Sequence, residues 1–101
     1  MINVIASIKV KAGQRDAFLA AFKANIPAVL AEDGCIEYYP TVDADSGLPP
    51  QVKDADTVTI IEKWASVAAL QAHAKAPHML AYREKVKDIV VGMSLKVLQQ
   101  A

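Results

Sequence analysis

Residues 64 to 85, WASVAALQAHAKAPHMLAYREK, hold the only tryptophan of the chain, both histidines, one of three tyrosines and an arginine. Imidazole takes and gives protons near neutral pH, so general base catalysis is the first chemistry to consider. His78 directly follows Pro77, in the first turn of a helix and near the positive end of its dipole. That position disfavours imidazolium and keeps the ring neutral, as a base requires. Its i+4 neighbour Tyr82 can share one surface with it. His73 lies about 60° round from Leu70, on the border of the apolar face of a short preceding helix. Glu62 and Trp64 are two residues apart on a strand and share a face. A carboxylate beside a core needs a partner, and a histidine would serve. Tyr38 and Tyr39 point to opposite faces of another strand, so only one of them can line a given cavity.

Other chemistries lack their patterns. His73 and His78 are about 140° apart on a continuous helix, and Pro77 interrupts it between them. They therefore make no i, i+4 zinc pair, and no metal site is expected. The four glycines are scattered singly, with no phosphate-binding loop. Cys35 has no neighbour that would lower its pKa and reads as a small core residue. No serine stands in an elbow-like motif. Spacing alone specifies no reaction for the histidines, and on that ground rings filling the corner between two helices are the favoured reading. Trp64 would then plug the sheet beneath a helix.

These residues need a frame. Ile2, Val4, Ala6, Ile8 and Val10 alternate as one apolar face of a strand. Gly13 opens a helical pattern carried by Phe18, Phe22, Ile26 and Val29, and Pro27 is expected to kink it or end its first part. Asp33 and Gly34 stop that helix. CIEYYPTVD follows as a second strand, with Pro40 suggesting an edge or a bulge. Residues 44–56 are polar and carry two prolines, a long loop for so small a domain. TVTIIEKW is a third strand. Ser66 fits the N-cap of a short helix over 67–74. Pro77 fits the first position of the next, with Met79, Tyr82, Val86 and Ile89 on its buried side. MSLKVLQ closes the chain as a fourth strand.

The order β-α-β-β-α-β, with the second helix split, predicts a single α+β ferredoxin-like domain over residues 1–101. Its four antiparallel strands carry the helices on one face. Ile5, Thr59 and Ile61 are candidates for the other, which a second subunit would most simply cover. Of the 101 residues, 53% are hydrophobic, and eleven basic residues balance eleven acidic ones. No net charge draws the chain to nucleic acid or anionic lipid. A start without a signal-peptide pattern, the lack of a membrane-length apolar run and a single cysteine point to a cytoplasmic protein.

Taken together, VIASIKVKAGQ, AEDGC, Tyr38, the run from Pro40 to Asp43, IEKW, LQAH, PHM, AY and the closing LKVLQ resemble the antibiotic biosynthesis monooxygenase superfamily, most closely its bacterial quinol monooxygenase branch. The resemblance spans the whole chain. It implies a homodimer of α+β barrel type, whose two sheets pack face to face. It also implies a pocket between helices and sheet, where O2 oxidises an aromatic diol without flavin, haem or metal. An electron-rich quinol that loses a proton is easily oxidised, so an apolar pocket and a positioned base are enough. On this resemblance His73 and His78 are the candidate catalytic residues. Trp64, Tyr38, Glu62, Tyr82 and Asp43 are the candidate substrate-binding ones.

Some relatives are excluded by departures from their patterns. Haem-degrading members use an asparagine and a histidine where this chain has Ala6 and Arg83. Antibiotic-making members carry an asparagine where this chain has Val58 and Ile60. The His-x-x-x-Pro-His pattern also occurs in a sugar-phosphate isomerase of the superfamily, but no phosphate cradle is evident here. The rival readings are such an isomerase and a non-catalytic ligand-binding dimer.

Overall fold

A computed structural model describes all 101 residues. Seven elements follow in the order β1 (Ile2–Val10), α1 (Arg15–Leu30), β2 (Cys35–Thr41), β3 (Thr57–Trp64), α2 (Val67–Lys75), α3 (Pro77–Val86) and β4 (Val90–Leu98). The strands form one antiparallel sheet in the order β2-β3-β1-β4, the ferredoxin-like arrangement expected. No helix is long and apolar enough to cross a membrane.

Period-two alternation divides the sheet into two unlike faces. Ile2, Val4, Ala6, Ile8 and Val10 of β1 are buried on the helix side, with Val58, Ile60, Glu62 and Trp64 of β3 beside them. Phe18, Phe22 and Val29 of α1 and Met79, Tyr82 and Val86 of α3 close over this face. Together these side chains account for most of the core.

Local signals explain the boundaries. Ser66 caps α2, its hydroxyl accepting the Ala69 amide at 3.1 Å. Pro77 occupies the first turn of α3, where a missing amide leaves nothing unsatisfied. Pro40 lies on β2, an edge strand that needs no ladder bond from it on its outer side. Ile36 is the extra residue of a bulge, because Cys35 pairs with Trp64 while Tyr38 pairs with Glu62. Without that insertion, residues 35 and 38 would face opposite sides. The bulge sets Tyr38 on the helix face beside Glu62.

Three expectations need correction. Pro27 does not end the first part of α1, which runs on to Leu30 as one helix. Pro27 and Lys23 both lie on the exposed side, so the carbonyl released by the missing amide is on the solvent side of the helix. β4 begins at Val90, three residues before the predicted start, because pairing with β1 resumes past an irregularity at Lys9 and Val10. β2 ends at Thr41, so Val42 and Asp43 fall in the loop.

Candidate active site

A cavity of about 470 Å³ opens between the helices and the sheet. That size falls within the range of about 300–1,000 Å³ usual for small-molecule sites. Its wall is mainly apolar, with Val4, Ala6 and Ile8 from β1 as floor and Phe22, Met79 and Val86 from the helices. Four groups give it polarity: Tyr38, Glu62, His73 and Tyr82. Arg83 of α3 and Lys87 just past its end, both exposed, stand on the rim. At the β4 side it is bounded by Met93 and Leu95, which remain 65% and 54% exposed.

Glu62 is buried, and its Oε1 accepts the indole N–H of Trp64 at 2.9 Å. The sequence suggested a histidine as its partner; the indole two residues along the same strand takes that place. Burial pushes the Glu62 carboxyl above its ordinary value, opposed by the Trp64 bond and by His73. Burial also pushes the Tyr38 hydroxyl well up, reinforced by Glu62 and then by Tyr82. Tyr82 is raised in the same way, mainly by burial. Both phenols therefore stay protonated and can donate hydrogen bonds into the cavity. Phe22 stacks on Tyr38 at 5.2 Å between centroids and meets Tyr82 edge-on at 5.9 Å, which fixes both rings.

His73 is buried between aromatic neighbours, its ring centroid 4.7 Å from Trp64 and 5.4 Å from Tyr38. Its Nδ1 lies 2.7 Å from Oε2 of Glu32. Glu32 is the residue of this candidate site that reading the sequence passed over. It stands in the AEDGC motif, 41 positions from His73, and no periodicity links the two. Gly34 makes the encounter possible. At φ +84° it turns the chain out of α1 in a conformation that residues with side chains rarely adopt. A Cβ there would come within 2.7 Å of Ala69 Cβ, so the turn rests directly on α2. Ala69 and His73 are four apart on that helix and share a face. Seating Gly34 on Ala69 thus carries Glu32 to His73.

The remaining predicted residues separate. Trp64 is fully buried and backs His73 without itself lining the cavity. His78 does not line it either. It borders a second, smaller depression with Asn25, Tyr82 and Lys85, on the new helix that Pro77 starts, although its ring centroid is only 6.4 Å from that of His73. His78 Nε2 lies 3.2 Å from the same Glu32 oxygen, yet its direction is too oblique for a hydrogen bond, and both its ring nitrogens are enclosed without a partner. The contact is therefore a close approach of ring to carboxylate. Asp43 is removed from the cavity; past the end of β2, its carboxylate accepts the Asp54 amide at 2.8 Å and ties the long loop together. Cys35 is half-buried at the start of β2, with its thiol pushed up by burial, and packs against the core. No group of three potential ligands is arranged to hold a metal ion.

Chemically, the site offers an apolar slot with an imidazole at one side and two phenols near it. Residues 1–85 match the family described as antibiotic biosynthesis monooxygenase. The chain is 44% identical over 101 residues to the Escherichia coli (strain K12) protein named "Probable quinol monooxygenase YgiN", covering 98% of this chain and 97% of that protein. The structure of Rv0793 from Mycobacterium tuberculosis superposes with a TM-score of 0.80 at 29% identity, over 99% of this chain and 94% of that one. Protein SO0527 from Shewanella oneidensis gives a TM-score of 0.82 at 28% identity, over 98% and 89%.

Proposed function

The chain belongs to the antibiotic biosynthesis monooxygenase family, and we propose that within it the protein oxidises a quinol or similar aromatic diol with O2, without flavin, haem or metal, using His73 as the base. The observation that supports this most is the pairing of an apolar cavity with an imidazole bonded on one side only. Nδ1 of His73 is engaged by Glu32, and Nε2 has no partner within the chain. A planar diol seated on the β1 floor would place one hydroxyl within reach of Nε2. Tyr38 and Tyr82 would donate to its oxygens.

His73 takes the hydroxyl proton, and the electron-rich quinolate that results passes electrons to O2. For 1,4-naphthoquinol, one oxygen atom enters a ring C–H bond and the other leaves as water. Naphthoquinol plus O2 then gives hydroxynaphthoquinone plus water, with all the electrons supplied by the substrate. Without insertion, the same proton loss yields the quinone and hydrogen peroxide. Apolar walls exclude water from the reactive carbanion-like ring.

The other face of the sheet carries Tyr39, Ile61 and Ile5 in one cross-strand row, and Tyr39 is 46% exposed. A second copy of the chain packed on this row would bury it, which is the homodimer the family resemblance implies.

Oxygen uptake with 1,4-naphthoquinol tests the reading, comparing metal-stripped wild type and His73→Ala with autoxidation. Wild type is expected to exceed the uncatalysed rate, and His73→Ala to lose at least about tenfold, or about 1.4 kcal/mol of barrier. Background rates with several quinols would overturn it. Turnover that persists without oxygen would indicate an isomerase instead.

A further inference from the structure

We propose that Glu32 is a positioning residue, holding His73 as the Nδ1–H tautomer so that the lone pair on Nε2 is presented to the cavity. This rests on the reading of His73 as the base. A carboxylate can only accept, so the ring nitrogen 2.7 Å from Oε2 must be the donor. A neutral imidazole that donates from Nδ1 carries its lone pair on Nε2. Free imidazole side chains exchange between tautomers and rotate. This one does neither, because Trp64 and Tyr38 wedge the ring on its sides and a flipped ring would break the Glu32 bond.

Glu32 is itself anchored. Its amide donates to the Val29 carbonyl at 3.0 Å, and its carbonyl accepts the Cys35 amide at 3.2 Å. The turn that carries it is seated on α2 through Gly34. Glu32 and His73 side chains are only 16% and 6% exposed, so water competes little for the bond. When Nε2 takes the quinol proton, the adjacent carboxylate stabilises the imidazolium that forms. Glu32 does not line the cavity, so it acts through His73. His78 brings a second ring to the same oxygen at 3.2 Å without a hydrogen bond, leaving the Glu32–His73 bond as the one that sets direction.

Two measurements test this. Long-range ¹H–¹⁵N spectra of the histidine rings report which nitrogen of His73 carries the proton in the resting protein, whatever the substrate proves to be. Wild type is expected to show Nδ1 protonated and Nε2 bare. Glu32→Leu, which keeps bulk and removes the acceptor, is expected to shift His73 toward Nε2–H. With 1,4-naphthoquinol, the same variant is expected to lose at least about tenfold in kcat with KM nearly unchanged, since only proton transfer is affected. A wild-type His73 protonated on Nε2 would overturn the proposal without any variant. So would an unshifted tautomer or full kcat in a folded Glu32→Leu. If wild type oxidises no quinol, the proposed function fails, and the spectra still decide whether Glu32 sets the tautomer.

Discussion

Gly34→Ala tests whether the turn after α1 is what brings the site together. Two separate costs follow from the structure. At φ +84° a residue with a Cβ is strained by roughly 1–2 kcal/mol. The new Cβ would also lie 2.7 Å from Ala69 Cβ, and neither a helical alanine nor the backbone of the turn can swing aside. Overpacking of this kind costs roughly 1–3 kcal/mol. The total is about 2–5 kcal/mol, a large part of the stability of a domain this size. Ala69→Gly removes the opposing methyl but leaves the strained φ, at a cost of about 1 kcal/mol in helix propensity. The double variant is therefore expected to be more stable than the sum of the single effects, with a coupling of at least about 1 kcal/mol. Urea unfolding of the four proteins measures this directly, and each kcal/mol also lowers Tm by about 4–8 °C. Gly34→Ala is further expected to lower turnover under conditions where it is still folded, because Glu32 shifts away from His73. Strictly additive effects would show that the turn does not rest on Ala69. Unchanged activity in a clearly destabilised Gly34→Ala would separate the turn from the site.

Two more outcomes follow from the same geometry. Glu62 has a carboxyl raised by burial, so its contribution to stability is greatest below the ordinary carboxylate range and is lost as pH rises through the raised value. Glu62→Gln keeps an oxygen for the Trp64 indole, and urea unfolding should find it gaining on wild type between pH 4 and pH 7; equal stability differences at both pH values would contradict the burial cost. Ile61→Glu places a charge at the centre of the Tyr39–Ile61–Ile5 row, where burying it unpaired in a dimer would cost on the order of 3 kcal/mol, or roughly 100-fold in dissociation constant. Analytical ultracentrifugation should show wild-type dimer and variant monomer, and a monomeric wild type would remove the dimer reading.

Much of this protein was legible in its sequence because the relevant signals are local. Alternation placed Val4, Ala6 and Ile8 on one face of β1, and β-branched residues marked β3. Ser66 and Pro77 marked the starts of α2 and α3 through the needs of unsatisfied amides. The same logic put Glu62 and Trp64 on one face and separated Tyr38 from Tyr39, since strand geometry alone decides which side chains share a face. Pro40 disclosed an edge strand, but the one-residue bulge at Ile36 appeared only when β2 was paired with β3.

What only the tertiary structure decided lies between elements distant in sequence. Both histidines were candidates from sequence, and which of them lines a cavity was left open. Their placement differs, with His73 at the end of α2 on the cavity wall and His78 at the start of α3 on another depression. Asp43 looked like part of a motif and proved to be a loop tie, since β2 stops at Thr41. Glu32 could not be picked out at all, because its partner is 41 residues away and the link between them is a contact of Gly34 with Ala69. Local pattern determines which residues face inward. Which of them meet depends on how the turns seat one element on another, and that distance is set by packing in three dimensions.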